Sequence, residues 1–222
     1  IVKSLTFGMI NTISLRFIDF YIGVSRNFKE MLIKRKFNPV NIFTVYNGVD
    51  FNEPAKNYSR KSFAEKYHIP IKENDIIVGI AARLYPVKNI GTLIDAARIV
   101  VDSNPNVKFI IGGDGEERKM LEDKVSSLGL NKNVFFTGWL NDPYELMSIV
   151  DISVLTSISE SFAYSILEGA RFKKATISTC VGGIPDLIES GENGYLFNPG
   201  DYNKLAEYIL ELASNKEKRD LM

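Results

Sequence analysis

Continuously apolar runs alternate with amphipathic segments along almost the whole chain. Asp19-Phe-Tyr-Ile-Gly-Val24 reads as a strand, 26–36 as an amphipathic helix and 41–46 as a second strand, with a turn at Asn47-Gly48. A polar bridge follows over 50–60, where Asn52, Pro54, Asn57 and Ser59 give the clearest linker composition in the chain. Beyond the bridge the pattern becomes regular. Asp75–Ala81 reads as a buried strand and 88–103 as a helix with Ile90, Leu93, Ile94, Ala97 and Val101 on its apolar side. Further strands are expected at 107–111, 133–137, 152–155 and 175–178. Helices are expected at 115–128, 142–150, 162–172, 183–189 and 201–213. Short apolar strands separated by helices satisfy both faces only in a parallel sheet covered on each side. The predicted fold is therefore α/β, a doubly wound parallel sheet. Such sheets bind ligands outside the carboxyl ends of their strands, which directs attention to the loops at 82–88, 112–115, 137–141, 156–161 and 179–183.

Composition narrows the class. The 222 residues carry 27 Lys+Arg against 27 Asp+Glu, and a net charge of zero argues against a dedicated nucleic-acid binder. A hydrophobic content of 45% is too high for disorder, and no apolar run approaches the ~18 residues of a membrane span. One cysteine, Cys180, and one histidine, His68, cannot build a disulfide framework or a zinc site within the chain. Cys180 is expected to be a small buried residue and His68 to stand at a helix end. The chain reads as soluble and cytosolic. It begins at Ile1, ends inside a charged, helix-like stretch and opens with a segment that Asn11, Ser14, Arg16 and Asp19 make a poor secretory leader. The expectation is a fragment with two parts, an incomplete domain over 1–50 and a Rossmann-like domain over 51–222.

Candidate chemistry clusters at the expected binding edge. Arg83 and Lys88 flank Pro86 between a strand and a helix, where fixed positive charge and free helix N–H groups suit a diphosphate. Gly112-Gly113-Asp114-Gly115 lacks the third glycine of a dinucleotide fingerprint, because Arg118 occupies that place; it reads as a glycine turn passing close to a ligand. Glu160 lies at the mouth of a strand–helix loop and Glu168 about two turns into the next helix, roughly 12 Å away at ~1.5 Å per residue. Carboxylates at that spacing suit the two polyol ends of a nucleotide sugar, whereas Ser157-x-x-Glu160 equally fits a helix capping box. Gly182-Gly183 fits either close ligand approach or a tight turn, with Asp186 and Glu189 as first-turn helix charges. There is no Asp-x-Asp pair, no Gly-x-Ser-x-Gly and no Walker loop.

Together these residues resemble the nucleotide-sugar-binding half of family-4 retaining glycosyltransferases, which have the GT-B fold. The motifs, in order, are Val24-Ser25, Asn47-Gly48-Val49-Asp50, Arg83 with Lys88-Asn89, Gly113-Asp114-Gly115, Phe136-Thr137-Gly138-Trp139, Glu160-x7-Glu168, Gly182-Gly183 and Asn193-Gly194-Tyr195-Leu196. The resemblance implies that Arg83 and Lys88 hold the donor diphosphate and stabilise the leaving group without a metal or cofactor. It implies Glu168 on the ribose, Glu160 on the transferred sugar, the backbone of Trp139 and Leu140 at the base edge, and Gly113 among the substrate-binding residues. Backbone N–H groups of Ser161, Phe162 and Ala163 would lie near the phosphate and sugar.

The sequence departs from the family at Ala163, where glycine is usual, at Phe172–Ala175, where a Gly-x-Pro turn is usual, and at Asp186, where glutamate is frequent. An amino-terminal domain of the same protein would supply the acceptor site, so the fragment itself would be inactive. The resemblance further implies a bacterial polysaccharide or glycolipid enzyme with a UDP or GDP sugar as donor and a glycan or glycolipid as acceptor. It implies a cytoplasmic protein and permits a peripheral position at the inner membrane face. Competing classes on the same fold are a sugar-nucleotide epimerase, a phosphorylase, a non-catalytic nucleotide-binding or scaffolding module, and an NAD-dependent dehydrogenase.

Overall fold

The computed structural model describes residues 14, 15, 17–50 and 58–222. The leader reading of the opening residues falls largely outside that range, as does most of the polar bridge. The chain divides between Asn47 and Gly48 into two compact units.

In the smaller unit β1 (Tyr21–Gly23) pairs in parallel with β2 (Ile42–Thr44), and α1 (Arg26–Lys34) connects them. The helix starts at Ser25, whose side chain accepts the Phe28 N–H at 3.2 Å. Period-two alternation then sorts the strand residues. Tyr21 and Ile42 pack with Leu32 and Phe37, while Ile22 (69% exposed) and Phe43 (48% exposed) face away.

The larger unit holds a six-stranded, all-parallel sheet in the order β5-β4-β3-β6-β7-β8. Its strands are β3 (Ile76–Ala81), β4 (Val107–Gly112), β5 (Val134–Gly138), β6 (Ile152–Leu155), β7 (Ala175–Thr179) and β8 (Tyr195–Phe197). The order reverses between β3 and β6, which creates the crevice where such folds bind ligands. Helices cover both faces: α2 (Arg60–Tyr67), α3 (Ile90–Ser103), α4 (Arg118–Ser127), α5 (Tyr144–Ile149), α6 (Tyr164–Arg171), α7 (Tyr202–Ser214) and α8 (Lys216–Leu221). Alternation along β3 and β4 assigns the faces. Val78, Ile80, Phe109 and Ile111 join the core under α3, α4 and α7, whereas Ile77 and Ile110 join Phe63, Leu146 and Ile149 under α2 and α5.

The α/β, doubly wound architecture is the expected one, with five local corrections. The segment expected as helix 183–189 is only a single 3-10 turn, Ile184–Asp186, with Pro185 in its opening positions. Asp186 lies in this 3-10 turn, as expected of a first-turn charge, whereas Glu189 lies beyond it. The α3 segment opens with a 3-10 turn at Pro86–Lys88 and becomes α-helical at Ile90. Helix α2, which begins inside the expected bridge, and strand β8 were not anticipated. Cys180 is exposed rather than buried. His68 does stand at a helix end, as the left-handed cap of α2 with φ 53°.

Candidate functional site

The carboxyl ends of β3 and β6 flank the reversal and carry the charged residues singled out by the sequence. After β3 the chain passes through Arg83, which is exposed and whose side chain has no hydrogen-bond or ion-pair partner among the described residues. It then turns at Pro86–Lys88 and enters α3. After β6 it runs through Thr156 to Ala163 before α6 begins. The two loops are bonded to each other. The Thr156 hydroxyl donates to the Lys88 carbonyl at 2.7 Å, and the Ile158 N–H donates to the Val87 carbonyl at 2.9 Å.

Lys88 and Glu160 meet across this junction. Lys88 Nζ lies 2.6 Å from Glu160 Oε1, with the side chains 26% and 13% exposed. The same carboxylate oxygen accepts the Ser157 hydroxyl at 2.7 Å. Ser157 is fully buried, and its carbonyl accepts the Thr179 hydroxyl at 2.7 Å. The capping-box alternative is thereby overturned: α6 starts at Tyr164 behind Ala163, which has no side-chain cap, and the Ser157 hydroxyl serves Glu160. Glu160 consequently precedes the helix and Glu168 lies only in its second turn, so the roughly 12 Å spacing along one helix does not apply.

Glu168 stands where two concavities meet. The first, about 320 Å³, has Gly112, Gly113, Trp139 and Leu140 in its wall; the second, about 420 Å³, has Lys88, Glu160, Phe162, Ala163 and Tyr164. Ala81, Ala82, Arg83 and Glu168 line both, so the two form adjoining parts of one cleft. The Glu168 carboxylate has no hydrogen-bond or ion-pair partner among the described residues. Its pKa lies above the usual carboxylate range, first because burial disfavours its charge and second because the Asp142 carboxylate acts on it. Asp142 itself accepts the Tyr58 hydroxyl at 2.9 Å.

The structure thus brings Arg83, Lys88, Gly113, Trp139, Leu140, Glu160, Phe162, Ala163 and Glu168 to one cleft, while Ser161 is exposed and outside its wall. Tyr164, Ser165, Asn141 and Pro143 also line it. Their adjacency to the motifs was the available signal. Two glycine readings change. A Cβ on Gly113 (φ 129°) would sit 1.9 Å from the Ala82 carbonyl oxygen, and one on Gly182 (φ 57°) would sit 1.5 Å from that of Glu160. The space freed by these glycines is filled by the Arg83 and Glu160 loops rather than by a ligand. Ala163 has φ −90° and is 4% exposed, packed with Leu155, Ile166, Ile184 and Ile188. Its backbone does not require glycine.

Chemically the cleft offers an apolar compartment beside Trp139 (63% exposed), Arg83 and an unpaired carboxylate where its two parts meet, and Lys88 with a second carboxylate at its far end. Among the described residues no group of three or more His, Cys, Asp or Glu side chains gathers to hold a metal ion, and no helix is long and apolar enough to cross a membrane.

Residues 62–222 match the family described as "Glycosyl transferases group 1". The chain is 31% identical over 184 residues, 82% of its length, to the poly(ribitol-phosphate) alpha-N-acetylglucosaminyltransferase of Staphylococcus aureus, covering 34% of that protein. It is 27% identical to the Escherichia coli UDP-Gal:alpha-D-GlcNAc-diphosphoundecaprenol alpha-1,3-galactosyltransferase, over 85% of this chain and 49% of that one. The chain spans about a third to a half of the length of these curated relatives. Among solved structures, Anabaena HepE in complex with UDP-glucose superimposes with a TM-score of 0.80 at 28% identity, covering 91% of this chain and 56% of that one. The C-terminal domain of the group 1 protein LpcC from Francisella tularensis superimposes with a TM-score of 0.69 at 29% identity, covering 78% of this chain and 92% of that domain.

Proposed function

The chain belongs to the group 1 glycosyl transferases, and from that premise we propose that it supplies the donor-binding part of a retaining, family-4 enzyme that moves a sugar from a nucleoside diphosphate to an acceptor. The observation that carries this reading is the order of chemistry along one cleft. The apolar compartment at Trp139 and Leu140 suits a base, unpaired Glu168 a ribose, Arg83 and Lys88 a diphosphate, and Glu160 the transferred sugar. A carboxylate accepts hydroxyl protons from a polyol, and two cations offset the charge that grows on a departing diphosphate. Arg83 and Lys88 would supply that charge in place of a metal.

UDP is the favoured nucleoside diphosphate, because HepE was crystallised with UDP and with UDP-glucose. A bacterial surface polysaccharide or glycolipid as acceptor, and a cytoplasmic position near the membrane face, follow from the same kinship and remain part of the proposal. So does the division of labour between an incomplete acceptor domain over 1–50 and a donor domain over 51–222. The face of β1 and β2 that carries Ile22 and Phe43, exposed among the described residues, supports further elements of an amino-terminal domain covering it, since parallel sheets are ordinarily buried on both faces.

Saturation-transfer NMR with UDP-glucose tests the assignment of the cleft. The uracil and ribose protons should receive the strongest transfer, and Glu168→Ala should weaken it at the ribose. Transfer confined to the glucose protons would contradict the assignment.

A further inference from the structure

Within that reading, Glu160 has two partners on one oxygen, and only one of them is free to leave. Lys88 Nζ, 2.6 Å from Oε1, sits on a flexible side chain and is, with Arg83, a cation in the cleft wall that an incoming diphosphate can draw on. The Ser157 hydroxyl, 2.7 Å from the same oxygen, belongs to a fully buried residue. Its main chain is fixed by the Thr179 hydroxyl on the Ser157 carbonyl. The neighbouring Thr156 and Ile158 fix it again through their bonds to Lys88 and Val87. Behind Glu160, Gly182 lies so close to the Glu160 carbonyl that a Cβ there would sit 1.5 Å from its oxygen.

We propose that Ser157 is a positioning residue for sugar recognition: its hydroxyl holds Glu160 Oε1 in place when a diphosphate draws Lys88 away, leaving Oε2 directed at the sugar hydroxyls. Without it, Glu160 follows Lys88 toward the diphosphate or rotates into solvent. A fixed carboxylate presents its acceptors to the sugar without an ordering cost at the moment of binding. Ser157 acts through Glu160 and does not itself touch the donor. The inference rests on the assignment of Glu160 to the transferred sugar.

The test is calorimetric titration of the 222-residue chain and its Ser157→Ala and Glu160→Gln variants with UDP and with UDP-glucose, UDP-galactose and UDP-N-acetylglucosamine. The readout is the affinity for the best-bound UDP-sugar divided by the affinity for UDP, which a general loosening of the fold would leave unchanged. Both variants should lower that ratio, Ser157→Ala by about tenfold, the scale of one lost charge-assisted hydrogen bond. A ratio unchanged in Ser157→Ala but lowered in Glu160→Gln overturns the positioning role alone. A ratio unchanged in Glu160→Gln, or a wild-type chain that binds no UDP-sugar better than UDP, overturns the assignment of Glu160 and the inference with it.

Discussion

Lys88 and Glu160, 72 residues apart in sequence, form an ion pair of 2.6 Å between the loops that follow β3 and β6. In the proposed reading the pair joins the diphosphate end of the cleft to its sugar end, so the two carry opposite expectations. Lys88→Ala should weaken UDP binding by about ten- to a hundredfold, as removal of a charged hydrogen-bond donor does. Glu160→Gln releases Lys88 from its partner and should leave UDP binding equal to or tighter than wild type. Calorimetry on both variants checks this; a loss of UDP affinity in Glu160→Gln of the same size as in Lys88→Ala would contradict it.

Burial raises the Glu168 carboxyl pKa, with Asp142 adding to the shift. A ribose needs the ionised form as acceptor, so affinity for UDP-glucose should fall on acidification starting above the ordinary carboxylate range, and this fall should vanish in Glu168→Gln. Stability runs the other way. A carboxyl whose folded pKa is raised binds its proton more tightly in the native than in the unfolded chain, so the native state gains as pH falls through the folded pKa. Glu168→Gln should therefore raise Tm at neutral pH, with the gain shrinking in acid. A Tm difference independent of pH would contradict this account.

Gly182→Ala places a methyl 1.5 Å from the Glu160 carbonyl oxygen at φ 57°. The displaced Glu160 loop should lose sugar discrimination, with a cost of about 2–4 kcal/mol in stability. Gly200 has φ 83° but nothing within 4 Å of an added Cβ, so Gly200→Ala should cost only about 1–2 kcal/mol and leave binding intact. Urea denaturation beside UDP-sugar titration separates the two effects.

Arg60 anchors α2 to the edge of the sheet opposite the cleft. Its guanidinium donates to the Ile149 and Asp75 carbonyls, each at 3.2 Å, and to the Asp151 carboxylate at 2.7 Å. The other Asp151 oxygen accepts the Ile77 N–H at 2.7 Å. Arg60→Ala should destabilise the chain by about 2–4 kcal/mol in chemical denaturation, because Asp151 and two carbonyls lose a charged donor, while UDP affinity stays the same. A change in UDP affinity without a loss of stability would contradict that separation.

The sheet was legible because its strands are apolar on both faces: Ile76–Ala81 and Val107–Gly112 cannot be solvated, and helical periods between strands force parallel crossovers. The site was legible because its residues are dense in loops at strand ends. What escaped has physical causes. Helix α2 has a charged sequence, RKSFAEKY, that buries only Phe63, and it is held by Arg60 and by the Lys66 and Tyr67 bonds to Glu145 instead of an apolar stripe. Strand β8 is three residues long and exists because it pairs with β7. The helical spacing of Glu160 and Glu168 does not apply because Glu160 lies in the loop ahead of Tyr164, where the Ser157 hydroxyl turns to Glu160 and leaves the helix start uncapped. Gly113 and Gly182 signalled close approach correctly, but the approaching group is backbone from a loop distant in sequence, which local pattern does not contain.

The central claim is that this cleft holds the nucleoside diphosphate of a sugar donor through Arg83. Calorimetric titration of the chain and its Arg83→Ala variant with UDP, GDP, ADP and NAD tests it most directly. The account predicts saturable binding of one nucleoside diphosphate, UDP first among them, and its loss in Arg83→Ala. Tight binding of NAD, or diphosphate binding that Arg83→Ala leaves untouched, would contradict it.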